Sequence, residues 1–494
     1  MPGSLALARG FRPYPSYKDS GVPWVAQVPD HWQVLPGFAT FAPKLAKNSG
    51  MVEKTVLSLS YGQIIVKPGE RLHGLVPESF ETYQIVDPGD IILRTTDLQN
   101  DQVSLRVGKV RQRGIITSAY LCLRAHSHLS DDYAYLLLNS YDLMKVFYGY
   151  GSGLRQNLDF THIKRMPIVV PPSQEQAAIV RFLDHTNRRI RSYIAAKKKL
   201  IGLLNEEKQA IINHAVTRGL DPNVHLKPSG VEWLGNVPAH WDAYRLKHVA
   251  TIQTGITLGK NYGSVSLVER PYLRVANVQT GKLDLSHVTT IRLPASEAAA
   301  SLLRKGDVLM TEGGDIDKLG RGCVWNGEIP DCLHQNHVFA VRPRQVAMLP
   351  GFLVALMASR HGRSYFERTA KKTTNLASTN STTLGSFPVL LPTVDEQQQI
   401  LEWIDGHTRP LTRAVDRAEL EIALIREYRT RLIADVVTGK LDVREVAAGL
   451  PDEVEAAEAL EYTDALVDSE EGTEDTGFEE SAATGIIETD SQMD

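Results

Sequence analysis

Cysteine is nearly absent from this chain. Cys122, Cys323 and Cys332 are the only three in 494 residues. An odd, scattered set makes no disulfide framework and fits a reducing, cytoplasmic setting. Long apolar runs are missing too: the best, at 352–358, is far shorter than the roughly 18 residues a membrane helix needs, so no membrane association is expected. Arg9 and Arg12 follow a brief Leu/Ala stretch that lacks a signal-peptide core and cleavage site. No G-x-x-x-x-G-K-[ST] phosphate loop occurs, so ATP hydrolysis would have to come from a partner. Gly149-Tyr150-Gly151-Ser152-Gly153 lacks the G-x-G-x-x-G spacing and reads as a turn between a late helix and a last strand. Pro171-Pro172 has Val170 before it and Ser173 after it, so it fails the Asn/Asp/Ser-Pro-Pro-aromatic pattern with which methyltransferases grip an adenine amine. Cys323, Cys332, His334 and His337 are zinc-type ligands, but eight residues separate the cysteines and no C-x₂₋₄-C knuckle forms. No catalytic centre, cofactor or metal is expected.

Basic residues are absent from one end. Residues 445–494 hold 17 acidic side chains and neither Lys nor Arg, which leaves 54 basic against 41 acidic residues, a net +13, in 1–444. The overall charge of −4 therefore hides a basic body and an acidic tail. A basic body suits a polyanion, because Lys and Arg that neutralise phosphates release condensed counterions. The tail is poor in aromatics and apolar periodicity and is expected to be disordered.

What is present is a duplication. Ser20-Gly21-Val22-x-Trp24 followed by Val28-Pro29-x-His31-Trp32 recurs, 209 residues on, as Ser229-Gly230-Val231-x-Trp233 followed by Val237-Pro238-x-His240-Trp241. PPSQEQ from Pro171 with Phe182-Leu183-Asp184 parallels PTVDEQ from Pro392 with Trp403-Ile404-Asp405, 221 residues on. Val216-Thr217 with Leu220-Asp221 parallels Val437-Thr438 with Leu441-Asp442. The middles match weakly, although Gly89-Asp90-Ile91 and Gly306-Asp307-Val308 both read as a turn entering a strand. Matching ends and differing middles read as shared scaffold around individual readers. The repeated Trp24, Trp32, Trp233 and Trp241 are expected to pack that scaffold.

Each unit ends in a long helical pattern. Ile179, Leu183, Ile190, Ile194, Ile201, Leu204, Ile211 and Ala215 fall at spacings of three, four and seven, the stripe of a helix packed on another helix. The second copy runs Ile400, Ile404, Leu411, Val415, Ile422, Ile425 and Leu432, with a kink or a fresh start expected at Pro410. A helix of ~40 residues spans roughly 60 Å, comparable to two turns of duplex DNA at ~34 Å each. An ordinary helical hairpin inside a core is the plainer reading of the same pattern.

In this order, twice, these segments resemble the specificity subunit of type I restriction–modification systems. The resemblance rests on YKDSGVPW…VPDHW at 17–32 with its echo at 228–241, GSGLRQNL…PIVVPPSQEQ at 151–176, and VTGKLDVR at 437–444, and covers about 14–444. It implies an α/β (α+β) fold with two target recognition domains, 14–170 and 222–391, separated by antiparallel coiled-coil helices at 171–221 and 392–444, ahead of the tail at 445–494. It further implies that each domain reads half of an asymmetric bipartite site in double-stranded DNA. Two methyltransferase subunits and two restriction-translocase subunits would supply the chemistry. The acidic tail and Pro410 depart from the family pattern.

Major-groove edges are read by Arg and Lys for guanine and by Asn and Gln for adenine, while Ser, Thr, Tyr and basic side chains hold phosphates. In the first domain such residues gather at Arg94, Thr95, Arg106, Lys109, Arg111, Arg113, Ser118 and Tyr120; in the second, at Arg274, Asn277, Lys318, Arg321, His334, Gln335, Asn336 and His337. Gly313-Gly314 and Gly320 would let a loop backbone approach the duplex. Two other readings remain open on the sequence: a scaffold that binds only protein, and an enzyme with an unrecognised motif.

Overall fold

The Gly-Asp turn of each copy leads into a four-stranded sheet of the same order in its own unit. The computed structural model describes residues 11–67, 79–96, 98, 105–150, 157–314, 319–372 and 377–451. It divides into a first unit, Met1–Lys197 with Leu420–Asp494, and a second, Lys198–Glu419. Both mix helix and strand. Gly151 to Gly153, Lys318 and the tail from Asp452 lie outside the described residues.

In the first unit, β1 (Phe41–Pro43), β2 (Ile91–Leu93), β3 (Val107–Lys109) and β4 (Leu121–Ala125) pair antiparallel in the order β1-β4-β2-β3. Helix α1 (Asp131–Leu143) packs on β3 and β4, and α2 (Ser173–Arg218) follows. Gly89 turns at φ +91°, a conformation that costs little only for glycine. Asp90 then buries its carboxylate and accepts from Arg124 of β4 at 2.6 Å.

The second unit repeats this pattern. Its strands include β5 (Ala250–Thr254), β6 (Val308–Thr311), β7 (Gly313–Gly314), β8 (Gly322–Val324), β9 (Leu333–His334) and β10 (Val338–Pro343). After α3 (Pro350–Ala358) come β11 (Lys371–Lys372), β12 (Ala377–Ser378) and α4 (Val394–Val437). The four-stranded sheet has the order β5-β10-β6-β8, again antiparallel throughout. Gly306 turns at φ +93°, and buried Asp307 accepts from Arg342 of β10 at 2.6 and 2.7 Å.

The Glu-Gln pair that closes each PPSQEQ-type motif locks sheet, covering helix and long helix together. Glu175 Oε2 accepts the indole N–H of fully buried Trp32 at 2.9 Å, and its Oε1 lies 2.5 Å from His31 Nε2. Gln176 Oε1 accepts from the N–H of Ser130, the residue capping α1, at 2.7 Å, and its amide donates to the His128 and Pro171 carbonyls. Glu396 repeats the first set with Trp241 at 2.9 Å and His240 at 3.0 Å. Gln397 repeats the second with Leu349 N–H, the cap of α3, at 2.8 Å and the Ala347 and Pro392 carbonyls. The repeated Trp32 and Trp241 are thus scaffold. Trp24 packs edge-on against Tyr141, and Trp233 stacks on His361.

The long helices end alike. Thr217 and Thr438 each donate to the carbonyl four residues back, and Gly219 (φ +74°) and Gly439 (φ +80°) terminate the turn. A Cβ on Gly439 would lie 2.5 Å from Pro29 and 2.9 Å from Trp32, so glycine is also required for close packing. In the first unit this end of α4 meets the start of the chain: Arg12 bridges to Asp442, and Tyr133 donates to the Val437 carbonyl at 2.9 Å. There α2 and α4 run antiparallel, with Asn187 accepting from Arg429 and Lys197 paired to Glu421. Ile179, Leu183, Ile190, Ile194, Ala215, Ile400, Ile404, Val415, Ile422 and Leu432 of the stripes are buried, whereas Ile201, Leu204, Ile211, Leu411 and Ile425 are half-buried. Pro410 does not break α4: the helix is continuous from Val394 to Val437, so no fresh helix starts there. A proline ring clashes with the carbonyl four residues back; here that residue is Gly406, which has no side chain to resist local bending.

Among the described residues no helix is long and apolar enough to cross a membrane. Glu175→Ala strands the buried Trp32 N–H and is expected to cost about 1–3 kcal/mol. Glu396→Ala should cost less, because the Glu396 side chain is 23% exposed against 9% for Glu175 and water can replace it. Thermal unfolding of the two variants checks the order; equal losses, or none, would refute this account of the anchor.

Candidate nucleic-acid interface

Antiparallel pairing sorts the candidate residues by sheet end. In the second unit, the C-terminal ends of β5 and β6 and the N-terminal ends of β8 and β10 lie at one end, because Thr311 pairs with Val338, Met310 with Gly322 and Thr254 with Phe339. Arg321, Gln335, Asn336 and His337 all leave the sheet there. Arg274 joins them through β9, whose Leu333 and His334 pair in parallel with Tyr272 and Leu273, and through the Gln335 N–H donating to the Leu273 carbonyl at 2.8 Å. Lys318 belongs by sequence to the same segment but lies outside the described residues.

The first unit divides its candidates. Arg94, Thr95, Ser118 and Tyr120 leave the equivalent end, after β2 and before β4. Lys109 pairs across from Ile91 at the other end, a strand length of roughly 10 Å away. There Lys109 is held by Asp131 at 3.0 Å and by Asp132, while Arg113 reaches Asp87 at 2.9 Å and Glu53 at 3.4 Å. Arg111 is exposed beside them. The sequence gathered these three with Arg94 because they are neighbours along the chain; the hairpin turns them away.

Four candidates are buried, and this corrects the expectation that they face a ligand. Arg106 has no exposed surface: its guanidinium donates to the Thr96 carbonyl at 2.8 Å and to Tyr148 Oη at 3.1 Å, with the Tyr148 ring beneath it. Thr95 is buried and donates to the Ala119 carbonyl at 3.3 Å. Asn277 accepts from the Arg274 N–H at 2.8 Å and donates to the Asp284 and His287 carbonyls. His334 Nδ1 donates to the Val338 carbonyl at 2.7 Å, closing the turn that carries Gln335 to His337. Burial pushes the His334 pKa down, so it is neutral at pH 7. The physical reason is common to all four. A turn that projects polar side chains leaves its own carbonyls and N–H groups under it, and these must be satisfied by a buried partner.

Residues the sequence reading missed complete both ends. Buried Gln84 donates to the Thr117 and Tyr120 carbonyls at 3.0 and 2.7 Å, bracing the turn that presents Ser118. Glu312 Oε2 lies 2.6 Å from His337 Nδ1. Lys371 and Lys372 are exposed on β11, which joins β7 through β12. No spacing in the sequence links them to His337; only strand pairing does. Cys323 and Cys332 are buried thiols whose pKa burial raises to about 12, and among the described residues no three His, Cys, Asp or Glu side chains are grouped to share a metal ion.

The assembled ends offer Arg, Asn, Gln and His groups with hydrogen-bonding edges, over turns rigidified from below. Residues 47–200 match the family described as type I restriction modification DNA specificity domain. Over 283 residues the chain is 24% identical to the type I restriction enzyme EcoKI specificity subunit of Escherichia coli K12, covering 56% of this chain and 57% of that one. Over 370 residues it is 23% identical to the MjaVIII specificity subunit of Methanocaldococcus jannaschii, covering 73% and 81%. The chain thus spans little more than half the length of the first of these relatives. A solved chain from work on complex assembly and conformational transition of the type I R-M system superposes with a TM-score of 0.58 at 16% identity, over 84% of this chain and 99% of that chain, and so shares the fold.

Arg106→Met removes a brace and not a phosphate contact. It should lower the melting temperature while leaving the slope of log DNA affinity against log salt unchanged. A slope smaller by about 0.9 would instead make Arg106 a phosphate ligand.

Proposed function

On the premise that the chain carries a type I restriction modification DNA specificity domain over residues 47–200, we propose that it is the DNA-reading specificity subunit of a type I restriction–modification complex. It reads an asymmetric bipartite site in double-stranded DNA, one half with each recognition domain, 14–170 and 222–391. The segments 171–221 and 392–444 are the spacer helices that set the gap between the half-sites, and 445–494 is an appended acidic tail. The chain itself carries no catalytic centre. Two methyltransferase subunits flip and methylate the target base, and two restriction-translocase subunits complete the nuclease.

One observation carries this reading: the two units have the same sheet order and the same Glu-Gln anchor, yet their equivalent sheet ends present different side chains. Identical scaffolds with unlike tips are what two readers of unlike half-sites require. Arg94, Ser118 and Tyr120 serve the first reader; Arg274, Arg321, Gln335, Asn336 and His337 serve the second. Arg106, Thr95, Asn277 and His334 hold these turns in place. Lys318, in the segment between Gly314 and Leu319, is assigned to the second reader by sequence, and Lys109, Arg111 and Arg113 to backbone contact at most.

Single-molecule sequencing of the host genome with and without this gene tests the proposal. Methylation at one motif, two short half-sites split by a fixed gap, should vanish with the gene. An unchanged methylome in cells expressing the chain would favour a protein-binding scaffold, and a purified chain that alone methylated or cut DNA would be an enzyme. Arg321→Ala should relax preference at one half-site by about 1–3 kcal/mol and leave the other half unchanged; relaxation of both halves would end the two-reader model.

A further inference from the structure

We propose that Lys371 and Lys372 are phosphate contacts that seat the second reader on the duplex, a role that rests on the DNA-reading function above. Three features converge on them. Lys372 and Gly314 both pair with Ala377, and Lys371 and Gly313 both pair with Ser378, so the lysines share a three-stranded ribbon with the glycine pair. That ribbon continues from the reading end: the Glu312 N–H donates to the His337 carbonyl at 2.8 Å, and the Thr379 N–H donates to the Glu312 carbonyl at 2.8 Å.

The second feature is access. Gly313 and Gly314 put no side chain on their strand, and among the described residues a Cβ built on Gly314 (φ +151°) meets no atom within 4 Å, while one on Gly313 would lie 3.3 Å from the Ala377 carbonyl oxygen. A sugar-phosphate backbone can therefore approach this strand closely, with ammonium groups two strands away; ribbon strands are ~4.8 Å apart, within reach of a lysine stem.

The third is charge. Lys109 and Arg113 of the first unit are neutralised by aspartates, and His337 faces Glu312. Both lysines are exposed, and among the described residues neither has a carboxylate partner. Desolvating an already paired lysine against DNA gains little, whereas an unpaired one gives the full counterion-release effect. At the 221-residue offset the first copy carries Tyr150 and Gly151, neither of them basic.

The test uses the full-length chain in its methyltransferase complex, with a random-sequence duplex as probe and affinity measured across salt. Lys371→Gln with Lys372→Gln should reduce the slope of log affinity against log salt by about 1.8, two phosphates at ~0.9 each, and leave the methylated motif unchanged in sequencing. Lys371→Arg with Lys372→Arg should restore the slope, and circular dichroism confirms that each variant is folded. An unchanged slope in the folded glutamine variant overturns the assignment, as does a relaxed motif, which would make the lysines base readers. A wild-type complex with no salt-sensitive affinity would instead refute the DNA-reading function itself.

Discussion

Everything else in each unit hangs on one carboxylate and one amide at the start of a long helix. Glu175 and Glu396 take the indole N–H of a tryptophan with no exposed surface. A buried N–H without an acceptor costs as much as a lost hydrogen bond and its desolvation together, so the tryptophan and the helix start cannot separate cheaply. Gln176 and Gln397 then use both ends of an amide, accepting from the cap of the helix that covers the sheet and donating to two carbonyls. Sheet, covering helix and long helix are fixed by two adjacent residues. In the first unit the anchor is larger: Tyr14 donates to Glu175 at 3.2 Å, and Arg444 bridges Glu175 and Asp442 while lying over the Tyr14 ring. The added groups come from segments far apart in sequence, Tyr14 on one side and Asp442 with Arg444 on the other.

The same economy governs the reading ends. Polar side chains can face a ligand only if the turns beneath them are rigid, and each turn is rigidified by a buried polar group in its own unit. Arg106 and Gln84 do this in the first unit, and Asn277 and His334 in the second. A brace and a reader are chemically alike, since both are long polar side chains rich in donors. What separates them is burial and the identity of the acceptor, backbone carbonyl or ligand.

Charge follows a related division. The body of the chain is basic, but many of its cations are spent on internal ion pairs, as at Lys44 with Asp87 and Asp90 and at Lys197 with Glu421. Net charge therefore sets attraction to a polyanion at long range, while a cation already held in an ion pair gains little from a phosphate.

From the sequence alone come the duplication, the two long helices, the scaffold role of Trp32 and Trp241, and the glycine turns before β2 and β6. Each is legible because it depends on local periodicity, on a backbone conformation that one residue type tolerates, or on a motif written twice. At Pro410 the sequence left a kink or a fresh start open, and the continuous helix removes the fresh start. The reading ends were half legible. Arg321 and Gln335 to His337 are close in sequence and remain together, whereas Lys109 and Arg113 are swung to the far end by a hairpin, and Arg106, Asn277 and His334 are drawn inside. Glu312, Gln84 and the Lys371-Lys372 pair were invisible because strand pairing, not spacing, brings them to the site. Composition decides which chemistry is available. Only the antiparallel register decides which side chains share an end of the sheet, since each reversal of the chain sends neighbouring residues to opposite ends.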